Sequence, residues 1–184
     1  MKPPRSFAVA SAPTRNLKAT LVRRVPLTPL IASGSVDYLF MSGRPYRFNT
    51  AGVRCVYFAE DEATAAAEYE RHTRPLRQPF ATYFAEVEFS AILDLCSPAT
   101  VKALGLTTRD FQANWARAKR PTAVQLLGEA VSQQTGIAAI RFPSDAARKQ
   151  GFAGANVVIF YECVRRPDHV HILGPTKKPL QRWP

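Results

Sequence analysis

A run of β-branched and aromatic residues from Val53 to Ala59 gives way, within a few positions, to a segment crowded with alanines, and this junction restricts the fold more than any other stretch. The first half suits a strand with at least one buried face. Asp61 is placed to cap a helix over the second half, where Ala63, Ala65, Ala66 and Ala67 combine high helix propensity with little bulk. A helix that thin can lie close against a sheet. Upstream runs a basic loop, Gly43-Arg44-Pro45-Tyr46-Arg47-Phe48-Asn49-Thr50, with Gly52 leading into Val53. Loop, strand and helix in that order bring Arg47, Tyr57 and Glu68 within reach of one pocket.

The flanking sequence supplies the rest of a core. Residues 1–18, with Pro3, Pro4 and Pro13 among Ser and Ala, read as a loosely ordered lead-in. Ala19 to Val25 reads as a first strand stopped by Pro26 and Pro29, and Leu27 to Ser42 as a loop with a short helical turn over the pocket. Pro75 and Pro79 interrupt the chain before Phe80–Phe89, whose alternation favours a half-solvated strand, and Ile92–Leu95 comes next as a short one. The middle is helical: Pro98–Leu104, then Thr107 or Thr108 through Arg120, then Pro121–Gln134 with Pro at its first position and Gly136 beyond its end. Ile137–Phe142 and Val157–Tyr161 read as core strands joined by a basic, Gly-containing loop, and Val170–Leu173 as an edge strand. Strands at both ends around a helical insert predict an α+β fold in a single domain.

Charge and cysteine usage narrow the classes. The chain carries 25 Lys and Arg against 14 Asp and Glu, a net charge of +11, which calls for nucleic acid, a phosphate-bearing ligand or an acidic protein as partner. The basic residues are scattered and form no recognisable nucleic-acid module, so direct nucleic-acid binding is not expected. Cys55, Cys96 and Cys163 lie far apart with no CxxC, which suggests neither a zinc site nor a disulfide framework and fits a reducing cytosol. The apolar stretch Phe7–Ala12 is short and contains Ser11, which argues against a secretory signal, and no run approaches a membrane span.

Two blocks carry a family resemblance. Gly43-x-x-x-Arg47-Phe48-Asn49-x-x-Gly52, then a strand with Val56-Tyr57, then Ala65-x-x-Glu68 on a helix, form the first. Ile140-Arg141-Phe142-Pro143-Ser144, followed by Gly154, Asn156 and the apolar run Val157–Phe160, forms the second. From about Val22 to Glu162 the chain resembles the RES domain, a family named for its Arg, Glu and Ser residues and known mainly as the toxin half of RES–Xre toxin–antitoxin pairs. The resemblance implies an ADP-ribosyltransferase-like mixed or antiparallel β core with flanking helices, residues 19–184 forming an NAD-binding catalytic domain. It implies NAD as substrate without a metal, a cognate Xre-type helix-turn-helix antitoxin as partner, and a cytoplasmic location; a homodimeric state is left open.

The implied reaction is cleavage of the nicotinamide–ribose bond of NAD. Its leaving group is a pyridinium that departs neutral, so the acid an ordinary glycosidase needs is dispensable. What remains is positive charge developing on the ribose, which one carboxylate can stabilise, and a diphosphate for cations and backbone donors to hold. By its match to the family Glu, Glu68 is the candidate acid; on residue type alone it competes with Glu62 and Glu70, and Arg71 and His72 offer it helical ion-pair partners. Arg47 matches the family's loop arginine, whose fork suits two phosphate oxygens, although Pro45 departs from the usual Gly-Gly-Arg run. Tyr57 can stack on or hydrogen-bond the nicotinamide or ribose, or be a core tyrosine; Tyr46 is a second aromatic in the loop. A further family arginine near the first strand corresponds to Arg24, with Arg23 as the alternative, because the aromatic that usually precedes it is missing. Ser144 either holds a ribose or phosphate oxygen or caps the chain at Asp145, and Asn156 either contacts the ligand or shapes the turn into the last strand. His169-x-His171 is a weak metal signal with no acidic cluster beside it. Two other readings stand beside NAD cleavage: ADP-ribosyl transfer to a protein or nucleic acid, and a non-catalytic basic module that binds nucleic acid.

Overall fold

The longest strand organises the molecule. In the computed structural model, which describes residues 6–27, 44–73, 78–134, 136–176 and 178–184, β3 (Phe80–Asp94) runs unbroken through what reads in sequence as two strands. Its buried set, Ala81, Tyr83, Ala85, Val87 and Phe89, keeps a period of two, which slips at Ser90 and Ala91 before resuming at Ile92. The slip coincides with a register shift in the partner strand, and buried Asp168 pins it by accepting from Ser90 N (2.8 Å) and Ser90 Oγ (2.6 Å).

β1 (Thr14–Pro26) pairs antiparallel with β3 along its whole length, from Thr14 opposite Leu93 to Pro26 opposite Phe80. It therefore starts at Thr14, not Ala19, and part of the expected loose lead-in is built into the fold. Leu17 is buried, Arg15 Nε reaches Asp94 Oδ2 (2.8 Å), and a 3₁₀ turn at Val9–Ser11 buries Val9. Residues 1–5 lie outside the described residues, as do Gly43 and all but Leu27 of the loop expected over the pocket.

β2 (Cys55–Ala59) pairs antiparallel with β5 (Ala155–Phe160) along its length but meets β1 through one pair, Val22 opposite Ala59. β5 continues antiparallel to β4 (Ala139–Pro143), and β4 joins the end of β3 in parallel. The order β1-β2-β5-β4-β3 thus returns to β1 and closes a ring. β6 (His169–Leu173) extends from β3, and β7 (Pro179–Trp183), not foreseen from its polar sequence, comes after β6. β5 is buried on both faces, which explains its unbroken apolar run: Val157 and Ile159 join one core with β1 and β3, while Val158 and Phe160 join a second core under the helices.

The helices obey their caps. α1 (Glu62–Thr73) starts at Asp61, whose Oδ1 accepts from Thr64 N (2.7 Å). α2 (Pro98–Ala103) precedes α3 (Thr108–Gln112), which stops well short of Arg120. A continuing helix would bond Trp115 N–H to Phe111 O. Instead Arg47 Nη2 takes that carbonyl (3.0 Å) and Trp115 N turns to Ala113 O (2.9 Å). α4 (Ala123–Ser132) is capped by Thr122 in a reciprocal box with Gln125, so Pro121 lies before the cap rather than at the first helical position. The loop expected between the last core strands holds α5 (Asp145–Lys149), capped by Ser144.

Two predictions come from this packing. Gly128 lets α4 touch the loop: a Cβ there would stand 1.7 Å from the backbone oxygen of Phe48. Gly128→Ala should destabilise by at least about 2 kcal/mol, since backbone must move to admit it, read as a lowered urea midpoint. Burial pushes the thiol of Cys55 up to about 12, and those of Cys96 and Cys163 up to about 11, from an ordinary 9.0. The folded chain therefore keeps protons that the unfolded chain loses above pH 9. The stability these thiols contribute should be full below pH 9 and lost as pH rises toward 12, and Cys55→Ala should flatten that fall in urea titrations at pH 8 and 10.5.

Candidate active site

Beyond the Val22–Ala59 pair, β1 and β2 part, and a cleft of about 780 Å³ opens between them. Arg23 spans the gap, its Nη1 donating to the Tyr57 carbonyl (2.8 Å), which answers a strand-edge acceptor that β1 leaves behind. α1 forms one wall, with Ala65, Glu68, Tyr69 and Arg71. Tyr46, Arg47 and residues 111–115 form another, and Asp145 and Lys149 of α5 stand at the rim.

Tyr57 fixes the loop. Its hydroxyl donates to Asn49 Oδ1 (3.0 Å) and accepts from Phe48 N (2.9 Å), and Phe48 and Asn49 are both fully buried. Asn49 Nδ2 in turn donates to the carbonyls of Arg44 (3.1 Å) and Thr50 (3.2 Å). Burial raises the Tyr57 phenol well above its usual value, so it stays protonated, and its half-buried ring lines the cleft. Gln125 Nε2 holds the Tyr46 carbonyl (2.8 Å), which ties the same loop to α4.

Arg47 lies over the Phe142 ring (5.4 Å) while bonded to Phe111 O. Burial draws its pKa down, an effect that the charges of Asp145 and Glu68 oppose. Val22 and Arg24, two apart on β1, share a face, and Val22 packs with Ala65 of α1. Arg24 stacks over Phe80 (4.7 Å), and its buried Nε has no partner among the described residues.

Glu68 is held from behind. Ser144 Oγ (2.8 Å) and Asn156 Nδ2 (2.7 Å) both donate to its Oε1, and Oε2 has no protein donor among the described residues. Ser144 is 2% exposed and Asn156 7%. Ser144 also accepts from Ala147 N (3.1 Å), so one hydroxyl caps α5 and holds the carboxylate. Small residues set the spacing: Ala65 and Ala67 are buried, and a Cβ on Gly154 would lie 2.3 Å from Thr64 Oγ1.

Glu68, Arg47, Tyr57, Tyr46, Arg24 and Asn156 all line the cleft, as does Arg23; Ser144 does not, standing behind Glu68. Asn49, Arg71, Trp115, Phe142, Asp145 and Lys149 are among the residues at the site to which the sequence alone assigned no role there. Arg71 was findable, one helical turn beyond Glu68; Trp115 carries no periodic or motif signal. Five cations, Arg23, Arg24, Arg47, Arg71 and Lys149, line the cleft against two carboxylates, Glu68 and Asp145, an excess of positive charge. His169 and His171 pack ring to ring (4.8 Å) on β6, and no group of three metal-ligating side chains occurs among the described residues.

A family model described as RES domain matches residues 25–180. Among solved structures, a chain from the crystal structure of the M. tuberculosis MbcT–MbcA toxin–antitoxin complex superposes with a TM-score of 0.57 at 19% identity, covering 89% of this chain and 88% of that chain. At that identity the likeness establishes a shared fold. Comparison with curated proteins gives no match.

The Tyr57 hydroxyl yields a prediction. Tyr57→Phe leaves Phe48 N–H and Asn49 Oδ1 buried without a partner and should lower stability by about 1–3 kcal/mol, seen in thermal unfolding. An unchanged melting temperature would show that the loop is held by other means.

Proposed function

The chain belongs to the RES domain family, and on that premise we propose that it is an NAD-consuming toxin of a toxin–antitoxin pair. The observation that carries this reading is Glu68: a carboxylate anchored through one oxygen, with the other left for a ligand, in a cleft rich in cations. A surface glutamate would need no such holding.

The charges dictate the chemistry. As the bond between nicotinamide and ribose breaks, its electron pair leaves with the nicotinamide, which becomes neutral. The ribose carbon turns cationic, and the Glu68 carboxylate faces that charge. Because Ser144 and Asn156 hold the carboxylate before the substrate arrives, little reorganisation is required at the transition state. Water then attacks, giving ADP-ribose and one proton, or phosphate attacks, giving ADP-ribose 1″-phosphate. Arg47, with Arg24 and Arg71 nearby, suits the diphosphate, and the Tyr57 ring suits a base or ribose. Transfer of ADP-ribose to a protein or nucleic acid would use the same groups with another acceptor. A purely nucleic-acid-binding module gives no role to a carboxylate fixed by two buried donors.

Three cysteines free of disulfides suit a reducing cytoplasm, where NAD is at hand. The partner we propose is a helix-turn-helix antitoxin of the Xre type. A solved structure of the same fold comes from a toxin–antitoxin complex, and the net charge of +11 suits an acidic surface on such a partner.

Purified protein incubated with NAD, with and without phosphate or a candidate acceptor, should release nicotinamide together with one resolvable product. Glu68→Gln should lose about 10²–10³ in turnover while keeping its melting temperature, since the amide oxygen can still accept from Ser144 and Asn156. Normal turnover in that variant would assign the chemistry to another group, and intact NAD under every condition would end the enzymatic reading.

A further inference from the structure

The chain has two tryptophans. Trp183 is 5% exposed and packs in the core against Tyr161, with ring centroids 5.2 Å apart. Trp115 differs: it is half-buried and lines the cleft from the turn after α3. So large an apolar ring left partly in water forgoes burial that would stabilise the fold. Nor does the chemistry of bond cleavage use it.

Its surroundings supply a use. The Trp115 ring centroid lies 5.2 Å from that of Tyr46 at 31°, and Tyr46 lies 6.2 Å from Tyr57, so three rings stand in file along one wall. The file is firmly mounted. Tyr46 O accepts from Gln125 Nε2 (2.8 Å), Tyr46 N bonds Asn49 O (3.1 Å), and the chain just before Trp115 is tied through Phe111 O to Arg47. Aromatic faces beside clustered cations form the arrangement that takes nucleotides, phosphates on the charges and bases on the rings.

We propose that Trp115 is a base-stacking residue that takes the flat face of one of the two bases of NAD. It sets the affinity for the dinucleotide and not the rate of bond cleavage. This rests on the reading of the cleft as an NAD site. A base stacked on Trp115 makes the same contact in the bound substrate and in the transition state, so the interaction belongs to uniform binding and is felt in KM.

Tryptophan emission reads the contact directly. NAD should quench the wild-type protein but not Trp115→Phe, in which only core-packed Trp183 emits. AMP and nicotinamide mononucleotide, added separately, identify which base is stacked. In steady-state assays Trp115→Ala should raise KM about tenfold with kcat within about twofold, and Trp115→Phe should restore most of the loss. Calorimetric titration of the wild-type protein with NAD separates the two claims. If NAD binds, yet the quench survives in Trp115→Phe or KM is unmoved in Trp115→Ala, the stacking role is overturned and the NAD reading stands. If NAD does not bind, the reading falls and this inference falls with it.

Discussion

A single ladder pair, Val22 with Ala59, links β1 to β2 in the sheet, and the cleft opens where that pairing stops. Both strands are secured elsewhere, β1 along all of β3 and β2 along all of β5, so neither needs the other. The ring can therefore open at that seam without loosening. An open seam leaves strand-edge groups in want of partners, and the molecule answers with side chains. Arg23 takes the Tyr57 carbonyl, and the Tyr57 hydroxyl secures the loop that walls the gap. Arg23, which makes good the missing pairing, is also one of the cations that give the concavity its positive charge.

Close approach is the second theme. Glu68 meets Ser144 and Asn156 because α1 lies nearly on the turn at Gly154, and the loop is held because α4 lies nearly on Phe48 at Gly128. In both places absence of a side chain matters more than its presence. The alanines of α1 serve the same end, presenting so little bulk that the carboxylate, not the helix body, fills the space toward α5.

How far the sequence discloses this depends on the scale of the interaction. The strand–helix junction at Val53–His72 and the apolar run at Val157–Phe160 were legible because burial writes them as local patterns. The family resemblance came from those same blocks, and the α+β class from the order of strands around a helical insert. The early start of β1 was not legible, since Thr14, Asn16 and Lys18 are exposed and owe their order to the facing edge of β3. The end of α3 was not legible either: helix propensity continues past Gln112, and an arginine 64 residues away decides otherwise. Ser144 shows a subtler limit. Its residue type offers capping and ligand contact as rivals, whereas one hydroxyl caps α5 by accepting and orients Glu68 by donating. Trp115 joined the cleft through tertiary packing alone.

The two donors that hold Glu68 lie 76 and 88 positions further along the chain. During synthesis the carboxylate is thus made long before anything can aim it, and the wall carrying Phe142 and Lys149 is likewise still to come. A half-translated chain owns the acid without the means to direct it. Under the proposed reading as a toxin, such late assembly would confine activity to finished molecules, the form a separately made inhibitor would recognise.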